Sequence, residues 1–71
     1  MRNEILIAAR KQSGKTQAQV AKEIGTAESA YQRYEHGTRT PNTIMGNRIA
    51  RAINSTVEKL WGYGDTTIRT L

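Results

Sequence analysis

The sequence contains no cysteine, and its 71 residues include a single histidine, His36. The absence of cysteine excludes a disulfide framework, a zinc site with thiolate ligands and a thiol nucleophile. One histidine cannot supply a metal site with two histidine ligands, and the sequence also lacks a paired-carboxylate or nucleophile set of the kind that catalysis uses. We therefore expect a protein that holds no metal, cofactor or small-molecule ligand and is not an enzyme.

Long hydrophobic runs are also missing from the chain. The longest apolar run covers only residues 5–9, whereas a helix that spans a bilayer needs roughly 20 apolar residues. The N-terminal residues do not show the pattern of a secretory signal. These absences predict a cytoplasmic protein that does not bind a membrane.

Acidic residues are few compared with basic ones. The 11 lysines and arginines outnumber the 6 aspartates and glutamates and leave a net charge of +5. On so small a surface, this surplus favours a polyanionic partner, with nucleic acid ahead of an acidic membrane surface. The length allows one domain with one small core.

Glycine and proline are scarce, and the segments between them have the composition and spacing of helices. The pattern predicts five helices, at residues 3–12, 17–24, about 27–36, a fourth capped by Asn42 that reaches Asn54, and 56–61. The pattern fades after Gly62. We therefore predict a domain over residues 1–62 and a C-terminal tail over residues 63–71, which is either flexible or in contact with a dimer partner.

Residues 16–37 are the most informative part of the chain. Two short helices joined by a turn around Gly25 have the length of a helix-turn-helix unit. The Thr-x-x-Gln spacing of Thr16 and Gln19 predicts a capping box at the start of the first of these helices. On the second helix, Tyr31 and Tyr34 are three residues apart, which is the spacing of a pair that packs inward.

If both tyrosines face the core, the opposite face of that helix carries four polar side chains. These predicted base-reading residues are Glu28, Ser29, Gln32 and Arg33. Arginine reaches the two acceptors of guanine, glutamine reads adenine, glutamate accepts from the cytosine amino group, and serine is adaptable. The pattern predicts a helix that reads bases in the major groove.

The ordered set of residues along the chain resembles the phage repressor and Cro-like (Xre-type) helix-turn-helix family, without a gap from about residue 5 to 61. The residues that carry the resemblance are Arg10, Gly14–Gln17, Val20–Gly25, Tyr31, Tyr34–Gly37, Pro41, Ile49–Ile53, Val57, Leu60 and Trp61. The resemblance implies an all-α, five-helix bundle of the lambda-repressor-like type, with the helix-turn-helix in helices two and three. It implies a sequence-specific regulator of transcription that binds double-stranded DNA.

The resemblance also implies roles for individual residues. It implies that Gln17 hydrogen-bonds a DNA phosphate and that Arg10 and Glu35 form a partly buried salt bridge between helices one and three. It further implies backbone contacts from the link after helix three. The phosphate-contacting residues expected on this basis are Lys15, Thr16, Gln17, Arg39 and Thr40.

The sequence departs from the family pattern at the start of the third helix. Thr26 stands where an apolar residue is common, and Ala27 where a small polar cap is common. We expect a less firmly started helix, with Thr26 as the substitute cap. Gly46, inside the fourth helix, also departs from the pattern and is expected to mark the close approach of a partner.

Because one such module buries little surface on DNA, we expect a homodimer, at least on DNA, that binds a pseudo-palindromic operator. Two alternatives stay open. One is an antitoxin or anti-regulator that grips a protein, which exposed Ile44 and Met45 side chains would support. The other is the targeting part of an enzyme complex, although this chain lacks a catalytic set of its own.

Overall fold

The computed structural model describes residues 2–62, and five helices in the predicted order account for most of them. They are α1 (Glu4–Gln12), α2 (Gln17–Ile24), α3 (Glu28–His36), α4 (Thr43–Ala52) and α5 (Val57–Trp61). No strand occurs in this part of the chain. The predicted all-α class and five-helix architecture are confirmed, while the tail at residues 63–71 lies outside the described residues.

Four of these helices begin at a residue whose side chain accepts a hydrogen bond from the backbone N–H three positions later. These capping residues are Asn3, Thr16, Asn42 and Thr56. Each satisfies one of the N–H groups that the start of a helix leaves without an intrahelical partner. At Thr16 the backbone N–H also donates to the Gln19 side chain, at 2.8 Å, which completes the predicted capping box.

Two predicted features of the helix ends are wrong. α3 begins after Ala27, which makes no side-chain capping bond. Thr26 does not replace it, because no N–H of α3 within the described residues donates to the Thr26 hydroxyl; Thr26 lies in the turn, where its own N–H donates to the Ala21 carbonyl at 2.9 Å. The fourth helix ends at Ala52 rather than at Asn54, which has a left-handed φ of 59° that a helix does not continue through,.

The core lies where α2 packs against α3 and α4, and it is completed by α1, which contacts α3, and by α5, which contacts α4 and α1. Its fully buried large side chains are Tyr31, Leu6, Ile49 and Val20. Tyr34 is buried beside Tyr31, with the two rings edge to face and their centroids 6.4 Å apart, an arrangement that aromatic pairs favour. Both tyrosines therefore point inward as predicted, and they fix which face of α3 points outward.

None of the helices formed by residues 2–62 has the length and apolar composition that crossing a membrane requires. Gly46 is buried within α4 by other parts of the same chain, so it does not present the surface for a partner that the sequence analysis expected there.

Candidate nucleic-acid interface

The turn between α2 and α3 sets the direction in which α3 leaves the core. Gly25 has a φ of 78°, a left-handed conformation that glycine adopts without the steric cost of a side chain,. Its N–H donates to the Lys22 carbonyl at 3.2 Å, and the next N–H returns to Ala21. Only three residues therefore join the two helices, and α3 begins immediately afterwards at Glu28.

The four predicted base-reading residues lie on one face of α3, because Ser29, Gln32 and Arg33 follow Glu28 by one, four and five positions,. Glu28, Ser29 and Arg33 are exposed, and Gln32 is half-buried. The Arg33 guanidinium makes no ion pair or hydrogen bond with residues 2–62, so its donors face solvent. Gln32 differs, since its Nε2 donates to the Gln17 Oε1 at 3.2 Å and to the Glu28 Oε2 at 3.4 Å.

Gln17, at the start of α2, has a side chain that turns toward α3. Its Nε2 donates to the Glu35 Oε1 at 2.8 Å, while its Oε1 accepts from Gln32. The backbone N–H groups of Gln17 and Ala18 have no partner among residues 2–62. Such N–H groups at the positive end of a helix can bind an anion. A phosphate contact by the Gln17 backbone therefore needs no side-chain movement, whereas one by its side-chain Nε2 would compete with Glu35.

The link after α3 carries the other predicted phosphate-contacting residues. Arg39 and Thr40 are exposed there, and the Arg39 side chain makes no hydrogen bond or ion pair within the described chain. The backbone N–H groups of Thr38 and Arg39 both point to the Arg33 carbonyl, at 3.1 and 3.4 Å. The link is thus held against the end of α3.

Arg10 and Glu35 form an ion pair that joins α1 to α3. The Arg10 Nε donates to the Glu35 Oε2 at 2.6 Å, and the side chains are 12% and 3% exposed. The Tyr31 hydroxyl donates to the same oxygen at 2.7 Å. The Arg10 Nη1 also donates to the Lys15 carbonyl, at 3.0 Å, just before α2 begins. The Arg10 guanidinium therefore links the C-terminal parts of α1 and α3 to the start of α2.

A helix-turn-helix family profile matches residues 6–60, which is most of the chain. The chain belongs to the Xre-like helix-turn-helix family. This is a family of DNA-binding domains and not of enzymes. No curated protein and no solved structure is significantly similar to the chain.

The buried carboxylate of this helix-turn-helix protein is charged at neutral pH. Burial raises the pKa of Glu35, but the hydrogen bonds from Arg10, Tyr31 and Gln17 together outweigh it and leave the pKa below its usual value,. The hydrogen bond to Glu35 raises the pKa of Arg10. Burial, with the hydrogen bond to Glu35, raises the pKa of Tyr31. Glu35 therefore accepts hydrogen bonds as a carboxylate, and the protonated Arg10 and Tyr31 side chains donate them.

Lys15 has partners within the helix-turn-helix domain that the sequence did not reveal. Its Nζ donates to the Ala52 carbonyl at 2.6 Å and pairs with Glu23 at 2.8 Å. The ammonium thus satisfies a carbonyl at the C-terminal end of α4, where a positive charge is favourable. Thr16 is exposed, but its hydroxyl oxygen already accepts from Gln19 as a helix cap. Phosphate contacts by Lys15 and Thr16 remain predictions.

Sequence reasoning also missed the role of Arg48 on α4. Arg48 is exposed, yet its Nη1 donates to the Ile24 carbonyl at the end of α2 at 3.5 Å. The two residues are 24 positions apart, so no local pattern could have joined them. Within residues 2–62, no cluster of acidic or histidine side chains is suited to hold a metal ion.

Proposed function

We propose that this protein is a cytoplasmic, sequence-specific regulator of transcription of the phage repressor or Cro type. The observation that carries the proposal is the outward face of α3, where Glu28, Ser29, Gln32 and Arg33 stand together while Tyr31 and Tyr34 anchor the helix in the core. A recognition helix of a helix-turn-helix unit lies in the major groove with such side chains against base edges. Occupation of an operator then blocks or aids RNA polymerase.

Affinity and selection come from different residues in this proposal. The exposed Arg39 and Thr40, the start of α2 at Thr16 and Gln17, and Lys15 beside it contact phosphates. The net charge of +5 supports this assignment, because neutralised phosphates supply most of the affinity of DNA-binding proteins,. The α3 face supplies selection, since only base-edge contacts read sequence directly. Glu28 acts mainly by rejecting wrong sequences, because a carboxylate is repelled by phosphates.

Size is the argument for a dimer. A single module of this kind buries little surface on DNA, and pairing two modules doubles both the surface and the length of sequence that is read. A two-fold symmetric dimer binds two half-sites whose centres are about 10–10.5 base pairs apart, or a multiple of this distance. We therefore propose a pseudo-palindromic operator.

Selection of bound duplexes from a random pool, with the full 71-residue chain, tests the proposal. We expect enrichment of an inverted repeat with the spacing of whole helical turns. Enrichment of a single half-site without symmetry would contradict the dimer, and the absence of any consensus would contradict sequence-specific regulation.

A second candidate function is that of an antitoxin or anti-regulator whose main partner is a protein. It is favoured by Ile44 on α4, which is 68% exposed, next to the half-buried Met45. In this case, affinity capture after nuclease treatment should yield one stoichiometric acidic protein, and Ile44→Ser should abolish its capture while DNA binding persists. Capture that disappears with nuclease treatment would rule out this second function.

A further inference from the structure

The side-chain amide of Gln17 is held at both ends by neighbours of different chemistry. Its Nε2 lies 2.8 Å from the Glu35 Oε1, and its Oε1 lies 3.2 Å from the Gln32 Nε2. A carboxylate accepts hydrogen bonds and cannot donate them. The amide of Gln17 can therefore adopt only one of its two orientations, with the N–H groups toward Glu35 and the carbonyl oxygen toward Gln32.

The orientation of Gln17 in turn fixes the amide of Gln32. Only an N–H group of Gln32 can face the Gln17 oxygen, and the Gln32 Nε2 also donates to the Glu28 Oε2, at 3.4 Å. An amide nitrogen carries two N–H groups, so these two bonds use both of them. The Gln32 Oε1, which has no partner among residues 2–62, is the atom left to contact DNA.

The orientations of Gln17 and Gln32 are fixed by the buried carboxylate of Glu35. Glu35 is 3% exposed and is also held by Arg10 and Tyr31. Hydrogen bonds in a buried network of this kind strengthen one another. The polarity that Glu35 imposes is therefore transmitted from the core, through Gln17, to the outward face of α3.

We propose that Gln17 is a specificity-determining positioning residue, which makes Gln32 read DNA only as a hydrogen-bond acceptor. In the major groove, adenine and cytosine present an amino group, whereas guanine and thymine present oxygen acceptors at that place. Every base pair has one base of each kind, so Gln32 selects the orientation that brings the amino group to its Oε1 and rejects the reversed pair, because two acceptors repel. An unconstrained glutamine would instead bind adenine at both its amino group and N7.

The inference rests on the proposed function, and the first experiment separates the two. Duplex selection is carried out with the wild-type chain and with Gln32→Ala, and the base position at which only the variant loses its preference is the one that Gln32 reads. Because every base pair carries one amino group, on adenine or on cytosine, this experiment locates the pair, and the second experiment tests whether its amino group is read. A consensus that Gln32→Ala leaves unchanged at every position overturns the inference alone, whereas a wild type without a consensus overturns the proposed function and the inference together.

The second experiment removes one hydrogen-bonding group at a time from the base. We expect replacement of the selected adenine by purine, or of cytosine by 2-pyrimidinone, to weaken wild-type binding about tenfold through loss of the amino group. Binding by Gln32→Ala to the same duplexes corrects for changes in base pairing, and we expect almost no further loss there. For adenine, 7-deazaadenine should bind as well as adenine. A comparable loss with 7-deazaadenine would mean that Gln32 also donates to N7 and would overturn the inference. This test uses the chain with Gln17 unchanged.

The third experiment tests Gln17 directly by Gln17→Met, which keeps the length of the side chain and removes its hydrogen bonds. We expect the preference at the Gln32 position to fall about tenfold while preferences elsewhere are unchanged. In a Gln32→Ala background the same change should have no effect on that preference. Uniformly weaker binding with the preference intact means a phosphate contact only and overturns the inference. Gln12→Met, exposed on α1, is the matched control, and thermal unfolding verifies that each variant folds.

Discussion

At the scale of the residue, Glu35 is the most constrained group of the domain. Its two carboxylate oxygens accept four hydrogen bonds, two from Arg10 and one each from Gln17 and Tyr31. A carboxylate this deeply buried is tolerated only because these donors replace its lost hydration. The same four bonds join α1, α2 and α3, so the residue that stabilises the core also orients α3.

Arg10→Met should destabilise the domain strongly. The variant keeps the aliphatic bulk but leaves Glu35 buried without its counter-charge, which costs about 3–5 kcal/mol in the free energy of unfolding. Urea denaturation at neutral pH measures this change. Lys11→Met is the matched control, because Lys11 is exposed on the same helix, and we expect it to change stability by less than about 0.5 kcal/mol,. Similar values for the two variants would contradict a stabilising role of the buried pair.

The stabilising effect of the Glu35 charge should disappear in acid. Because the pKa of Glu35 in the folded protein lies below its ordinary value of 4.5, the carboxylate stabilises the fold above that pH,. Its contribution is lost as the pH falls through the folded-state pKa. We expect the difference in unfolding free energy between wild type and Glu35→Gln to be largest at neutral pH and to shrink below pH 4.5. A difference that stays constant into this acid range would show that the charge of Glu35 does not matter.

Arg33 and Arg39 should differ in what their removal changes. Arg33→Ala is expected to cost about 1–3 kcal/mol on the preferred sequence and to relax the preference at one base pair. Arg39→Ala, which serves as its matched comparison, should weaken binding to all sequences about equally, because phosphates carry no sequence information directly. Titration of each variant against the selected duplex and its single-base variants measures both effects. If Arg33→Ala weakened every sequence equally, Arg33 would not be a base-reading residue.

At the scale of the element, α3 is the one described helix that starts without a side-chain cap. Ala27 occupies the capping position with φ −73° and ψ 149°, the extended conformation from which serine caps a helix,. Ala27→Ser should therefore raise the free energy of unfolding by about 1 kcal/mol. Ala18→Ser, within α2, is the matched control and should not stabilise,. The absence of a gain in urea denaturation would mean that the new hydroxyl does not cap α3.

The helices show which parts of the fold could be predicted from sequence. The capping box of Thr16 and Gln19 and the end of α2 at Gly25 depend on residues close together in the chain, and both were predicted correctly. The end of α4 was not, because the left-handed Asn54 is one of several residues at which that helix could have stopped. Thr26 was assigned as a cap, but α3 starts one residue later, after Ala27, and its N–H groups do not reach the Thr26 side chain.

In the candidate site, too, local features could be predicted from the sequence and contacts between distant residues could not. The outward face of α3 followed from the inward pair Tyr31 and Tyr34, since helical spacing fixes which side chains share a face. The partners of Lys15 and Gln17 did not follow, because the Ala52 carbonyl and the Gln32 amide are 37 and 15 residues away. Such contacts depend on how the helices pack, which one sequence without its relatives does not encode in any local pattern.

At the scale of the whole molecule, the balance of charges decides how binding responds to salt. Part of the positive charge is neutralised within the domain, by the pairs of Arg10 with Glu35 and of Lys15 with Glu23. The surplus of +5 remains available to phosphates. Because only released counterions make affinity depend on salt, the salt dependence counts the phosphates that the protein neutralises.

The affinity for the selected operator should therefore fall steeply with salt concentration. A dimer that neutralises about eight phosphates gives a slope of roughly −7 in a plot of log affinity against log salt, and a single bound chain gives roughly half of that. Arg39→Ala should reduce the magnitude of the slope by about 2 for a dimer, one phosphate contact for each subunit, whereas Arg33→Ala should leave it nearly unchanged. Fluorescence titrations over a range of salt concentrations measure these slopes. A wild-type slope near zero would mean that phosphate contacts do not supply the affinity, and a reduction of about 1 with Arg39→Ala would mean that one chain, not two, binds the operator.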